Sequence, residues 1–265
     1  MTQHIVMFSG GLGSWYAARR VRDRLGPQAL LTLAFADTKM EDEDLYRFLD
    51  EAATNVAGQL VVLADGRDPW QVFADVRFLG NSRVDPCSRI LKRELLRRWL
   101  DQHFDPAQTV VYLGIDWSEA HRFEKAQRFW APWQVQAPLC EPPFVSPTEI
   151  RQALAESGIK LPRLYDMGFA HNNCGGFCVK AGQQHFATLL QQMPARYRYH
   201  EGKEEEIRQL LQKDVSILKD RRGGITKPLT MRAFRERLEA GQQYDTQEWG
   251  GCGCFSGSVE EGADE

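Results

Sequence analysis

A glycine-rich loop close to the beginning of the sequence constrains the fold of this chain more than any other feature. The loop reads Ser9-Gly10-Gly11-Leu12-Gly13-Ser14, follows the apolar run of residues 4–8 and precedes a helical apolar pattern over residues 14–25. Gly26-Pro27 ends that pattern. Short apolar runs that end at glycines are typical of buried parallel strands. The sequence therefore predicts a strand that turns sharply into a helix.

The same alternation of strand and helix continues through the first half of the chain. Apolar runs predict further strands over residues 29–36, 60–64 and 109–114. Between them, helices are predicted over residues 41–57 and 87–104. Alternation of this kind predicts an α/β fold, a doubly wound parallel sheet with helices on both faces.

The pattern changes after residue 145, and this change divides the chain into two regions. A segment with two cysteines covers residues 168–182, and two or three helices are predicted over residues 183–240. We therefore divide the chain into an α/β domain, residues 1–182, and a C-terminal helical extension, residues 183–265. The extension ends in a Cys-x-Cys tail.

Composition restricts the class of protein. With 265 residues and a formal net charge of −3, the sequence argues against the broad basic surface of a general nucleic-acid-binding protein. No apolar run approaches the ~20 residues that cross a bilayer, and the first residues lack the pattern of a signal peptide. We therefore expect a cytoplasmic protein with no membrane partner. In that compartment, clustered cysteines indicate metal ligands or reactive thiols.

The glycine loop has the chemistry of an anion site. Glycines let backbone N–H groups approach an anion closely, and the N-terminus of the following helix adds its dipole and unpaired donors. Ser9 and Ser14 can donate hydroxyl hydrogen bonds. In a doubly wound sheet the ligand lies beyond the carboxyl ends of the strands. Residues 9–14 are therefore predicted to bind the phosphates of a nucleotide.

Several further motifs occur in the order found in one known family. The segments are Phe35-Ala36-Asp37-Thr38 with Glu41 and Tyr46, Cys87-Ser88-Arg89-Ile90-Leu91-Lys92, Gly114-Ile115-Asp116-Trp117-Ser118-Glu119-Ala120-His121-Arg122, and residues 162–169 leading to Cys174. Together with the glycine loop, they resemble the phosphoadenosine phosphosulfate reductase-like family of the pyrophosphatase-loop (PP-loop) ATPase superfamily. The resemblance covers most of residues 5–182.

This resemblance implies an enzyme that binds ATP or a related adenine nucleotide, with Mg²⁺ as an accompanying ion. It adds Asp37, Thr38, Gly114 and Arg122 to the nucleotide-binding residues of the loop, and it makes Lys92 a candidate catalytic residue. Asp37 has an equally good alternative role as a helix N-cap. For Lys92 the alternative is a position on a solvated helix face.

Two positions depart from the family pattern. Leu12 and Gly13 stand where many ATP-cleaving members carry an acidic residue, and Asp116 stands where sulfonucleotide reductases carry arginine. The first departure bears on Mg²⁺-assisted cleavage of ATP, and the second bears on a sulfonucleotide substrate.

Five of the six cysteines are candidate metal ligands. Cys174 and Cys178 lie four residues apart around two glycines, and Cys252 and Cys254 lie in a second glycine-containing loop. In the iron–sulfur branch of the resembled family, ligands come from the position of Cys87 and from a later pair at the position of Cys174 and Cys178. Cys252 or Cys254 would then supply a fourth ligand, and either is also a candidate catalytic nucleophile.

Three states of these cysteines stay open: a [4Fe–4S] cluster, structural Zn²⁺ held by thiolates, and free or redox-paired thiols. An anaerobic visible spectrum with metal analysis separates them, because a cluster absorbs broadly and contains iron, whereas a zinc site is colourless. The remaining cysteine, Cys140, has no partner in sequence and is predicted to be a buried, inert thiol.

Two charged runs in the C-terminal region have plain structural interpretations. Residues 203–206, Lys-Glu-Glu-Glu, are predicted to form a solvated helix face. Residues 219–224 combine basic residues with two glycines, which is typical of a helix C-terminus. The alternative for the second run is a turn that contacts the phosphates of a nucleic acid.

Three functions are compatible with these motifs. The first is a PP-loop transferase that adenylylates a nucleobase, a nucleic acid or a small metabolite, coupled to sulfur transfer at an iron–sulfur or thiol centre. The second is a sulfonucleotide reductase in which a C-terminal thiol attacks sulfur. The third is a non-catalytic module that binds nucleotide and metal. Pyrophosphate release from ATP separates the first from the third, and sulfite release identifies the second. The oligomeric state stays open, a homodimer included.

Overall fold

The computed structural model describes residues 2–81 and 84–246. Five parallel strands form one sheet in the order β3-β2-β1-β4-β5, which confirms the predicted α/β class with a doubly wound sheet. The strands are β1 (Gln3–Met7), β2 (Leu31–Asp37), β3 (Gln59–Ala64), β4 (Thr109–Leu113) and β5 (Gln134–Gln136). The first four begin and end within one or two residues of the predicted bounds, and β5 was not predicted.

Helices connect these strands and continue beyond them. They are α1 (Leu12–Leu25), α2 (Glu43–Asn55), α3 (Pro69–Asp75), α4 (Pro86–Ser88), α5 (Leu95–His103), α6 (His121–Trp130), α7 (Pro147–Glu156), α8 (Arg163–Asp166), α9 (Gln183–Gln192), α10 (Pro194–Leu211) and α11 (Met231–Glu239). Among the described residues, no helix has both the length and the hydropathy that spanning a bilayer requires.

Strand β1 lies at the centre of the sheet because both of its faces are covered by apolar side chains. On one face, Val6 and Phe8 belong to a core that α1, α2 and α7 cover. On the other face, Ile5 and Met7 belong to a core that includes residues of α5 and α6. Since alternate residues of a strand point to opposite faces, this short apolar run supplies both layers at once.

The order of the strands creates a switch point beside β1. The chain adds β2 and then β3 on one side of β1, and returns to add β4 and β5 on the other side. Crossovers therefore leave β1 and β4 in opposite directions, and a crevice opens where their carboxyl ends meet. The glycine loop follows β1 at this crevice.

A third apolar core joins α3 to the C-terminal helices. Trp70 and Phe73 of α3 pack in it with Phe186 of α9, Tyr197 of α10 and Phe234 of α11. A short antiparallel hairpin, β6 (Leu218–Asp220) and β7 (Lys227–Leu229), covers one side of these helices. This core contains residues from both sides of residue 182, and the domain boundary placed there stays a prediction.

The helix predicted over residues 87–104 is interrupted. Residues Arg89–Glu94 form a π-helical turn between α4 and α5. Within this turn Lys92 and Arg93 are 3% and 2% exposed. Lys92 lies 3.6 Å from Glu41 and Arg93 lies 3.5 Å from Asp85. A π-helical turn is typical of functional positions, and this one contains two buried cationic side chains. Because Lys92 is buried, the alternative that places it on a solvated helix face is wrong.

The prediction of a solvated face for residues 203–206 is wrong for Glu204, which is 1% exposed. Its two carboxylate oxygens accept hydrogen bonds from the N–H groups of Ile217, at 3.0 Å, and Met231, at 2.6 Å. Glu204 thereby connects α10 to the segment before β6 and to the first residue of α11. Its neighbours Glu205 and Glu206 do extend toward solvent, as predicted.

The interpretation of residues 219–224 as a helix C-terminus is also wrong. Lys219 and Asp220 belong to β6, and a 3₁₀ turn, Arg222–Gly224, leads from there toward β7. The basic residues therefore lie at the tip of a hairpin, where the glycines serve the turn.

Replacing Glu204 with glutamine should remove a pH dependence from the stability of the fold. Burial raises the pKa of the Glu204 carboxyl to about 7. Its contribution to the free energy of unfolding is complete below the pKa of the unfolded chain, near 4.5, and is lost as pH rises through 7. Between pH 4.5 and 8 we expect a decline of about 3 kcal/mol from this group, absent in Glu204→Gln.

Urea denaturation at several pH values measures this difference. Glu206→Gln is the matched control, because the Glu206 side chain is 63% exposed on the same helix. Equal pH profiles for wild type and Glu204→Gln would contradict the assignment.

Candidate nucleotide-binding site

A cavity of about 270 Å³ opens at the crevice beyond β1 and β4. Its lining comes from the glycine loop, from the turn after β4 and from two segments later in the chain. The lining residues include Ser9, Gly11, Leu12, Gly13, Ser14, Gly114, Asp116, Glu119, Arg122, Arg151, Tyr165 and Asn172. Five of the six predicted loop residues thus line one cavity together with Gly114 and Arg122.

The loop is organised by the Ser14 hydroxyl. Ser14 Oγ donates to the carbonyl of Gly11 at 2.8 Å and accepts from the Ser9 N–H at 3.3 Å. Within residues 2–81 and 84–246, no hydrogen-bond acceptor takes the N–H groups of Gly13 and Ser14. These belong to the first turn of α1, whose N–H groups have no partner within the helix. The turn therefore offers donors and a helix dipole to an anion.

Gly114 lies in van der Waals contact with the first turn of α1. A Cβ atom at Gly114 would lie 2.8 Å from Ser14 Cα and 2.9 Å from Ser14 N. A Cβ atom at Gly13 would lie 3.3 Å from the carbonyl oxygen of Gly114. The two backbones approach this closely because neither residue has a side chain.

Gly10 takes part in the site without lining the cavity. Its φ of +73° is left-handed, and a Cβ atom there would lie 2.5 Å from Leu45 Cδ1. Its carbonyl oxygen accepts a hydrogen bond from Asn172 Nδ2 at 2.9 Å. Gly10 therefore serves the turn from β1 into the loop.

The opposite wall of the cavity was not predicted from the sequence. Tyr165 Oη accepts the N–H of Leu12 at 3.2 Å, and the guanidinium of Arg151 lies over the Tyr165 ring at 5.1 Å. Asn172 reaches back to the loop as described. These residues lie about 150 positions after the loop in the sequence. The only sequence signal for this part of the chain was the motif that runs from residue 162 to Cys174.

Charged side chains line the mouth of the cavity. Arg122, on the first turn of α6, pairs with Glu119. Asp116 caps the 3₁₀ turn before α6, where its Oδ1 accepts from the Ser118 N–H at 2.7 Å and from the Ser118 hydroxyl at 2.6 Å. Two arginines and two carboxylates therefore face the same space, since Arg151 lines it as well.

Asp37 and Thr38 do not line the cavity. Asp37 is 5% exposed and accepts hydrogen bonds from the Lys39 N–H, at 2.8 Å, and from the Tyr46 hydroxyl, at 3.1 Å. The N-cap alternative for Asp37 is wrong, because Asp42 caps α2. Thr38 donates to Glu41 at 2.9 Å. Both residues organise the end of β2, next to the loop.

Glu41 joins three parts of the chain through one buried carboxylate. Its Oε1 accepts from Thr38 and lies 3.6 Å from Lys92 Nζ. Its Oε2 accepts the N–H of Cys174 at 2.5 Å. Lys92 Nζ also lies 3.9 Å from Cys174 Sγ. The predicted Cys…Lys segment and the second cysteine pair therefore meet at Glu41.

The described cysteines are Cys87, Cys140, Cys174 and Cys178, and each is half-buried. Within residues 2–81 and 84–246, no group of three or more His, Cys, Asp or Glu side chains is placed to hold a metal ion. Cys252 and Cys254 lie outside the described residues. The cluster and zinc hypotheses stay predictions.

Cys140 is half-buried, so the prediction of a buried thiol is wrong. Its Sγ lies 3.4 Å from the carbonyl oxygens of Ile115 and Asp116. Burial, followed by the charge of Asp116, raises the pKa of this thiol. A raised pKa keeps the thiol protonated and unreactive.

Comparison with known proteins was made at the level of sequence and of structure. No family model matches the sequence, and no curated protein matches it. Many solved structures are similar, two of which are described here. One is a phosphoadenylyl-sulfate (PAPS) reductase from Candida auris in a phosphate complex, with 15% identity, a TM-score of 0.42, and 62% of this chain and 78% of that chain covered.

The second similar structure is a predicted subunit of tRNA methyltransferase from Methanocaldococcus jannaschii. It has 17% identity and a TM-score of 0.37, with 58% of this chain and 76% of that chain covered.

Gly114→Ala should separate the two backbones that shape the cavity. The new Cβ would overlap Ser14 Cα and N, so either α1 or the turn after β4 must move. We expect the free energy of unfolding, measured by urea denaturation, to fall by about 2 kcal/mol.

Gly202→Ala is the control for this substitution. Gly202 lies inside α10, and a Cβ there would meet no atom within 4 Å. We expect a gain of up to ~1 kcal/mol in the free energy of unfolding from helix propensity. An unchanged Gly114→Ala protein would contradict the close contact.

Proposed function

We propose that this chain is a PP-loop-type enzyme that binds ATP in the cavity beyond β1 and β4 and transfers AMP to an acceptor. The observation that carries the proposal is the glycine loop at the sheet's switch point. There Gly13 and Ser14 line a cavity that Arg122 and Arg151 also line, and their N–H groups have no acceptor among the described residues. Backbone donors, a helix dipole and guanidinium groups are together suited to a polyphosphate.

The proposed first step is adenylylation. An acceptor oxygen attacks the α-phosphorus of ATP, the bond to the bridging oxygen breaks, and pyrophosphate leaves with the negative charge. The loop N–H groups stabilise the charge that develops on the phosphate oxygens, since they are fixed before the reaction. The opposite wall, with Tyr165 and Asn172, holds the loop in this conformation through contacts to Leu12 and Gly10.

Mg²⁺ fits the residues present at this site. The loop lacks the acidic residue of many ATP-cleaving relatives, but the carboxylates of Asp116 and Glu119 line the same cavity. Mg²⁺ is commonly held by one or two carboxylates together with substrate phosphates. When bound, it would neutralise charge on the phosphates. Asp116 would then take the role of the acidic residue that the loop lacks. An aspartate at a position where sulfonucleotide reductases carry arginine also disfavours a sulfonucleotide substrate.

The proposed second step displaces AMP from the adenylylated acceptor. A persulfide on Cys174, formed by a sulfane-sulfur donor, attacks the acceptor carbon with its outer sulfur, the bond to the AMP oxygen breaks, and AMP leaves with the bonding electrons. A second thiol then attacks Cys174 Sγ, which breaks the S–S bond, releases the thiolated acceptor and leaves a disulfide for an external dithiol reductant. Cys174 is the described thiol that supports this step, because the Lys92 ammonium lies 3.9 Å from its Sγ. A nearby cation stabilises a thiolate. The acceptor is proposed to be a nucleobase, a nucleic acid or a small metabolite.

ATP binding and pyrophosphate release test this proposal. We expect calorimetric binding of ATP with Mg²⁺, and release of pyrophosphate in an enzyme-coupled assay. Arg122→Gln should weaken ATP binding roughly tenfold, because a charge-assisted hydrogen bond is lost. Arg128→Gln is the control on the same helix, as Arg128 is 71% exposed. Binding without any pyrophosphate release would favour a non-catalytic module.

Asp116→Asn tests the proposed Mg²⁺ ligand separately. Asparagine keeps the size of the side chain but removes the charge, so the gain in ATP affinity that Mg²⁺ provides should shrink several-fold. Affinity measured in EDTA should not fall, because the substitution removes a negative charge that repels the phosphates. Asp23→Asn, on exposed Asp23 of α1, serves as the charge-matched control. An equal Mg²⁺ effect in Asp116→Asn and wild type would rule out this ligand.

A further inference from the structure

A second cavity, of about 350 Å³, lies in the C-terminal region and shares no lining residue with the first. It is bounded by the tip of the β6–β7 hairpin, by α11 and by the segment that follows α11. The lining residues that matter here are Arg221, Arg222, Arg237, Gln183, Phe234 and Tyr244. Its volume lies within the range of small-molecule sites.

Three guanidinium groups line this cavity against two carboxylates, those of Asp220 and Asp245. Arg222 donates to both oxygens of Asp220, at 3.0 and 2.9 Å, and Arg237 donates to Asp220 Oδ2 at 2.8 Å. The Arg222 hydrogen bond holds the pKa of the Asp220 carboxyl well below its usual range. Asp220 is therefore ionised at neutral pH and orients two arginines, and the cavity keeps a net positive charge.

The remaining walls are aromatic and amide groups. Tyr244 is half-buried and meets the ring of Phe234 edge-on, at 5.9 Å between centroids. Phe234 itself is 1% exposed, and its ring supports the Tyr244 ring on the side of the apolar core. Gln183 donates to the carbonyl of Lys219 at 2.9 Å and accepts the N–H of Asp245 at 3.3 Å. A cavity with guanidinium groups, a supported aromatic ring and amides suits a phosphate that carries a planar base.

We propose that this second cavity binds a nucleotide unit, with its phosphate on Arg221 and Arg222 and its base against Tyr244. The same chemistry is presented by a free mononucleotide and by a nucleotide within single-stranded RNA. The proposal does not depend on ATP binding in the first cavity, because the two cavities have no lining residue in common. It assigns phosphate binding to residues 219–224, the second of the two roles that their sequence pattern allows.

Binding to the full-length chain, with no ATP added, tests the proposal. The two ligands are uridine monophosphate and a hexauridylate that contains 4-thiouridine, each titrated by calorimetry. Binding of the hexanucleotide alone identifies RNA as the source, and equal binding of both identifies the mononucleotide. After irradiation, mass spectrometry should map the 4-thiouridine cross-links to the peptides that contain Phe234 or Tyr244.

Variants connect the binding to the arginines. Arg221→Gln with Arg222→Gln should weaken binding of whichever ligand binds by roughly tenfold or more and flatten its salt dependence. Arg237 still holds Asp220 in this double variant, so the hairpin keeps a contact to α11. Arg221→Lys with Arg222→Lys, which keeps the charge, should retain most of the affinity.

The matched control removes two exposed arginines outside both cavities, Arg98→Gln with Arg128→Gln. It should bind as wild type. The proposal is overturned if neither ligand binds, if the control weakens binding as much as the cavity variant, or if the cross-links map only to the first cavity.

Discussion

The backbone contact between Gly114 and the first turn of α1 determines the site. It brings together the segments that follow β1 and β4, with no side chain between them. These are the two neighbouring strands at which the order of strand addition reverses. Main-chain positions tolerate far less movement than side-chain rotamers, so the donors of the loop are fixed relative to the sheet. The cavity, the placement of Arg122 and the proposed phosphate geometry all follow from this approach of two glycines.

Glu41 extends this order to the thiol-bearing segment. A carboxylate that is 1% exposed is stable in such a place only when charge and hydrogen bonds compensate its lost hydration. Lys92 supplies the charge, and Thr38 and the Cys174 N–H supply hydrogen bonds. The end of β2, the π-helical turn and the cysteine segment are therefore parts of one buried polar cluster beside the cavity at the glycine loop.

The sequence predicted what depends on local pattern, and missed what depends on tertiary contact. The strand–loop–helix unit was predicted because apolar runs and glycines act over a few residues. Glu204 was misassigned because its charge and its neighbours indicate solvent, whereas its partners, Ile217 and Met231, are distant in sequence. Tyr165 and Asn172 were missed for the same reason. No periodicity indicates which residue closes a cavity from the far side.

The third apolar core has a consequence for how this molecule loses its structure. Trp70 and Phe73 follow β3 in the chain, yet their buried faces are completed by residues of α9, α10 and α11. Detaching those helices would expose large aromatic surfaces next to the sheet, at a free-energy cost that grows with the area exposed. Sheet and C-terminal helices should therefore melt in one cooperative transition, and no partly folded species that keeps the sheet alone should accumulate.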